Sequence, residues 1–159
     1  MPSNRTSSSS LANLSLRSCW AVDSTLLGDG VRVLTRTILR AKAVLPDQVA
    51  LSRAAFRNHT RSVRQVMKQL IETARRRGEG AADALRDRYR RLVGLTTQVV
   101  RQAQQVETAL AGTTDGRAQR LRSVLQTFIP RVRQVIDQTT RRVLHGQQVP
   151  ASEKVASAR

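Results

Sequence analysis

Between Leu85 and Leu110 the chain places Leu85, Tyr89, Leu92, Thr96, Val99, Ala103, Val106 and Leu110 at steps that alternate four and three without a miss. That spacing keeps one face of a 3.6-residue helix continuous over many turns, and it is incompatible with the two-residue alternation of a strand. The scheme returns after the turn GTTDG at 112–116, with Ala118, Leu121, Leu125, Phe128, Val132, Val135 and Thr139. Two heptad seams joined by a short glycine-bounded turn predict an antiparallel helical hairpin with coiled-coil-like packing. At 1.5 Å per residue each arm extends roughly 45 Å. Pro130 lies within the second seam and removes one backbone donor, which predicts a kink because the seam continues beyond it.

Two further amphipathic segments precede the hairpin. From Asp23, read as an N-cap, to Leu45 before Pro46, the positions Leu27, Val31, Leu34, Ile38 and Leu45 share one face, with Arg32, Arg36 and Arg40 opposite. Gly28 and Gly30 each weaken such a helix by about 1 kcal/mol relative to alanine, so its start is expected to fray or be set by other contacts. A second helix is expected from Asp47 to Arg77, ending at the Gly78-Glu79-Gly80 break. Phe56, Val63, Val66 and Leu70 form its apolar face. The cations Arg53, Arg57, Arg61, Arg64, Lys68 and Arg75 recur at steps that confine them to a stripe roughly 80° wide.

The expected fold class is therefore all-α, with long helices over 23–145 and disordered termini. Residues 1–22, with the run SSSS and no sustained period, and the tail 146–159 are each read as lacking a core. Aromatic residues make up only 3% of the chain, so the core must be built from Leu, Val, Ile and Ala, which suits packed helices. Val-Arg-Gln recurs at Val63, Val100 and Val132, but at unequal intervals, which argues against a structural repeat.

Charge narrows the function. Lys and Arg number 28 against 11 Asp and Glu, for a formal charge of +17, and all the cations but Lys42, Lys68 and Lys154 are arginine. The planar guanidinium fork matches phosphate oxygens, and such a surplus points to a polyanion, nucleic acid before an anionic membrane. A membrane-surface role ranks last, because the apolar faces lack the Trp and Phe that anchor interfacial helices. No apolar run approaches the roughly 20 residues that a transmembrane helix requires. With Cys19 as the one cysteine, no intramolecular disulfide can form, and the expected compartment is the reducing cytoplasm.

Chemistry-bearing patterns are sparse. No phosphate-cradling glycine loop, paired cysteines or metal-ligand spacing occurs, and the two histidines, His59 and His145, are read as packed or capping side chains. Asp83 and Asp87 are interleaved with Arg86, Arg90 and Arg91 on one helix, which suits ion pairing along the helix rather than a metal site. No catalytic residue, no metal site, no cofactor and no small-molecule substrate are expected.

The stretch DSTLLGDGVRVLTR at 23–36 resembles a segment of bacterial insertion-sequence transposases of the DDE type, the ISNCY group in particular. The stretch VLHGQQVPASEKV at 143–155 is similar to another segment of that family, and the two stand in the expected order. The resemblance covers about residues 22–157. It implies a parent catalytic domain of ribonuclease H-like fold, in which three carboxylates hold two divalent metal ions such as magnesium. The first of them would lie just upstream of Asp23, where LANLSLRSCW has no aspartate, and the other two would fall beyond Arg159. On that reading the chain is a truncated, non-catalytic transposase fragment corresponding to the helical region between the catalytic strands. DNA contact is expected through Arg53, Arg57, Arg61, Arg64, Lys68, Arg75, Arg90 and Arg91, electrostatic and tolerant of sequence. Two alternatives stand beside it: a helical interaction module whose seams pair with another copy or with an intact transposase, and a leftover reading frame without selected function.

Overall fold

The computed structural model describes the backbone of residues 5–44, 58–76 and 78–144, and the side chains of 23–44, 58–76 and 78–143. The described residues are helical apart from short connections, without a strand among them, as the all-α reading requires. Among the described residues four α-helices follow one another: α1 Arg5–Val44, α2 Thr60–Arg75, α3 Ala81–Ala111 and α4 Gly116–Thr139. A π-helical turn, Thr140–Leu144, continues α4. Helix α1 packs against the three others, and α2 lies against α1 and α3.

The α3 seam is buried at every one of its eight expected positions, with Val100 added beside Val99. In α4 the buried set is Ala118, Leu125, Ile129, Val132, Val135, Gln138 and Thr139, while Leu121 and Phe128 are half-buried against the core. The stripe thus shifts from Phe128 to Ile129. A straight helix drifts about 20° per heptad from a strict 3.5-residue repeat, and α4 faces both α1 and α3, which widens the face it must bury.

The turn between these helices is closed from both sides. Asp115 caps α4, its side chain accepting from the backbone N–H of Arg117 at 2.8 Å and of Ala118 at 3.2 Å. Gln119 reaches back from α4 and donates to the carbonyls of Leu110 and Thr113. One turn further out, Glu107 accepts from Arg122 at 3.0 Å and from Gln126 at 3.2 Å. Partners thus descend in number along α3 as they ascend along α4, and α3 also meets the π turn that follows α4. Pro130 sits inside α4 on an exposed face without ending it.

Three expectations about the first two helices need correction. Helical backbone begins at Arg5, not Asp23, and runs through the serine-rich stretch. No proline or glycine stands between Arg5 and Leu27 to break it. Asp23 is consequently no N-cap; it is a buried residue inside α1. The expected continuous helix from Asp47 to Arg77 also fails, because Asn58 and His59 are non-helical and α2 starts at Thr60. The Asn58 side chain accepts from the Thr60 N–H at 3.0 Å, the local turn by which asparagine competes with helix continuation. Residues 45–57, with Leu45, Pro46, Asp47 and Phe56, lie outside the described residues, as do His145, Gly146 and the tail.

Gly28 and Gly30 are not a weak first turn but two contact points in the interior of α1. A Cβ added at Gly28 would stand 2.8 Å from Met67 Sδ on α2, and one at Gly30 would stand 2.6 Å from Val132 Cγ2 on α4. Absence of a side chain at these positions lets α1 approach two helices at once. The second break behaves as read: Gly78 and Gly80, at φ of 116° and 82°, turn the chain from α2 into α3.

The buried apolar side chains among the described residues form one cluster. Leu27, Val31, Leu34 and Ile38 of α1 meet Val63, Val66 and Leu70 of α2 and the seams of α3 and α4, with Val143 of the π turn closing one end. At that end Asp23 pairs with Arg142, Nη1 to Oδ1 at 3.3 Å, beside buried Ser24.

Candidate nucleic-acid interface

Arg61, Arg64, Lys68 and Arg75 are all exposed, on the side of α2 opposite its buried residues Val63, Val66, Leu70 and Thr73. The cause lies in the spacing: steps of three, four and seven keep the cations together at 100° per residue while the apolar positions fall about half a turn away. Among the described residues no ion pair involves any of these four cations. Their charges therefore face solvent, with Glu72, four residues after Lys68 and three before Arg75, as the acid on the same helix. Arg53 and Arg57, expected to continue the stripe, lie outside the described residues.

Arg90 and Arg91 are exposed on α3, apart in sequence from that stripe. Arg90 is held by Asp87 at 2.7 Å, and Arg86 by Asp83 at 3.4 Å, which is the intrahelical pairing expected of this segment. Pairs this exposed contribute little, a few tenths of a kcal/mol each, and Arg90 carries less free charge than Arg91. Elsewhere Arg122 is drawn to Glu107, Arg141 to Asp137 at 2.8 Å, and Arg131 lies over the Phe128 ring with Cζ 5.5 Å from its centroid.

A second basic row flanks the first. Arg32, Arg36 and Arg40 stand one turn apart on the exposed face of α1. Arg32 and Arg64 line one cleft of about 120 Å³ between α1 and α2, together with Thr60 and Asp29. Arg32, Arg36 and Arg40 line an adjoining, wider groove of about 450 Å³ that shares Thr60 and has Leu39 and Ala43 in its floor. The sequence places the α1 row opposite the apolar face without assigning it a role. Its spacing of four is the available signal, but which helix stands opposite cannot be read from it.

Other chemistry has little to build on among the described residues. No group of three or more His, Cys, Asp or Glu side chains converges there. His59 is buried just before α2, consistent with a packed imidazole. No helix among the described residues is long and apolar enough to cross a membrane. The Asp115 carboxyl is held below its ordinary range by the N–H groups of Ala118 and Arg117, and its role is to cap α4. No protein-family model, curated protein or solved structure matches the chain.

Proposed function

We propose that this protein binds DNA through its phosphates, without sequence preference and without performing chemistry on it. The observation that carries the reading is the exposed row Arg61, Arg64, Lys68 and Arg75, unpaired among the described residues, on the face of α2 turned away from the core. A net charge of +17 adds long-range attraction to the same polyanion. Phosphate contacts of this kind orient a protein on a duplex but do not read bases. The resemblance of residues 23–36 and 143–155 to ISNCY-type transposases supplies a context: a helical DNA-contacting region of a transposase-like protein.

Fluorescence anisotropy with a labelled duplex of arbitrary sequence tests the reading. If four cations engage phosphates, log K falls against log salt with a slope near −3.6, about 0.9 per cation. Chelation with EDTA leaves the binding unchanged, since no metal is called for. Affinity that is flat with salt, or that differs strongly between unrelated sequences, overturns it.

Pairing with a second copy or with an intact transposase is a narrower alternative. Within the described residues the apolar seams of α3 and α4 are covered by the chain itself, and Leu39 and Ile71, at 48% and 42%, are the exposed large apolar side chains. Sedimentation velocity across a concentration series separates this from DNA binding alone.

A further inference from the structure

An arginine row of α1 and a single arginine of α2, Arg64, line one furrow. The narrow cleft and the wider groove between α1 and α2 share Arg32 and Thr60, so they run into each other. One wall carries Arg32, Arg36 and Arg40 from α1; the other carries Arg64, with the Thr60 hydroxyl at the head of α2. Among the described residues Asp29 is the only acid lining either part, and it is already engaged by Arg32 at 3.6 Å. The α1 arginines are a turn, about 6 Å, apart and all exposed, so the row presents a line of charge rather than a point.

We infer that this furrow is the seat of a nucleic-acid strand, one phosphodiester backbone lying between the α1 arginines and the start of α2. The inference rests on the DNA-binding reading and deepens it, by moving the principal contact from the α2 stripe alone to the junction of α1 and α2. Charge complementarity selects the occupant. A linear polyanion can meet successive guanidinium groups along one wall and Arg64 on the other, and arginine's planar fork gives each phosphate two donors. Among the described residues no aromatic side chain lines the furrow to stack an unpaired base, so the strand is expected to belong to a duplex.

The test compares two triple variants of equal charge by anisotropy with the same labelled duplex. In the first, Arg32→Ala, Arg36→Ala and Arg40→Ala empty the α1 wall; in the second, Arg117→Ala, Arg120→Ala and Arg133→Ala remove exposed cations of α4, which lines no part of the furrow. All six side chains are solvent-facing, and circular dichroism verifies that both variants keep their helix content. The furrow variant is expected to bind roughly ten- to hundred-fold more weakly at about 0.15 M salt, with the salt slope reduced by about 3. The α4 variant weakens only a few-fold, and lysine at positions 32, 36 and 40 restores most of the slope. Equal weakening in the two variants would mean that net charge alone matters, and would overturn the furrow. So would intact duplex binding combined with abolished capture of phosphatidylserine vesicles, which would assign the furrow to a membrane. A wild-type protein that binds no duplex at all defeats the DNA reading itself, a result distinct from failure of the furrow.

Discussion

Asp23 and Arg142 stand 119 residues apart in sequence and meet as an ion pair at the end of the bundle, with the aspartate side chain only 3% exposed. The pair joins the interior of α1 to the π turn after α4. A wider turn at Thr140–Leu144 accompanies the inward placement of Arg142 and of Val143, which is 1% exposed. Removing one partner leaves a charge in a site that water barely reaches. Asp23→Ala is therefore expected to destabilise the fold by about 3 kcal/mol, and Arg142→Ala by a similar amount. Replacing both by leucine recovers much of that stability. Urea denaturation of the two alanine variants, of the double variant that combines them and of wild type provides the cycle, and strictly additive effects would show that the pair is not coupled.

Gly30 offers a contrast with Gly94. Alanine at 30 gains about 1 kcal/mol of helix propensity, but its Cβ meets Val132 Cγ2 at 2.6 Å, and overpacking costs about 1–3 kcal/mol. Net destabilisation is expected, partly relieved when Val132→Ala is added. At Gly94, inside α3, a Cβ meets nothing within 4 Å, so Gly94→Ala should stabilise by up to about 1 kcal/mol. Thermal melts with opposite signs at the two sites would verify the close approach of α1 and α4.

Asp115 links the α3–α4 turn to pH. The N–H groups of Ala118 and Arg117 hold its carboxyl below the ordinary value of 3.8, so the folded protein binds this proton less readily than the unfolded chain. Its contribution is complete above that ordinary value and disappears as pH falls through the depressed one. Asp115→Ala should lower Tm at neutral pH, and the gap between variant and wild type should narrow as pH falls below 3.8. A gap that persists unchanged at low pH would mean that the cap works through something other than its charge.

Stability and binding should separate on α2. Arg61→Ala, Lys68→Ala and Arg75→Ala are each expected to change stability by no more than about 0.5 kcal/mol, because the side chains are exposed and unpaired among the described residues. Each substitution that removes a cation from a phosphate reduces the salt slope by about 1, equally for unrelated duplexes. Melting curves and anisotropy on the same samples measure both. A variant with unchanged slope and lowered Tm would place that cation in the fold rather than the interface.

Most of the interior of the bundle is legible from spacing. The α3 seam is buried at all eight expected positions, and Val63, Val66 and Leu70 of α2 and Leu27, Val31, Leu34 and Ile38 of α1 are buried as their periodicity requires. Such positions are legible because a helix has a fixed angle per residue, so an apolar stripe in the sequence is a stripe in space whatever it packs against. The same rule sends Arg61, Arg64, Lys68 and Arg75 to the solvent. Asp115 reads only as part of the turn at 112–116, and its capping of α4 is a finding of the structure.

What periodicity cannot specify is which stripe faces which. Asp23 reads as a helix start because aspartate favours that position, yet α1 begins at Arg5 and the carboxylate is satisfied by Arg142. Gly28 and Gly30 read as local weakness and serve as points of close approach to Met67 and Val132. Arg32, Arg36 and Arg40 read as an ordinary solvated face until α2 is set beside them. The sequence alone determined helices, their buried faces and the charge they display, since these depend on contacts within a few residues. Only the tertiary structure decided the buried ion pair, the glycine contacts and the arginine furrow, because each joins residues brought together by packing between helices.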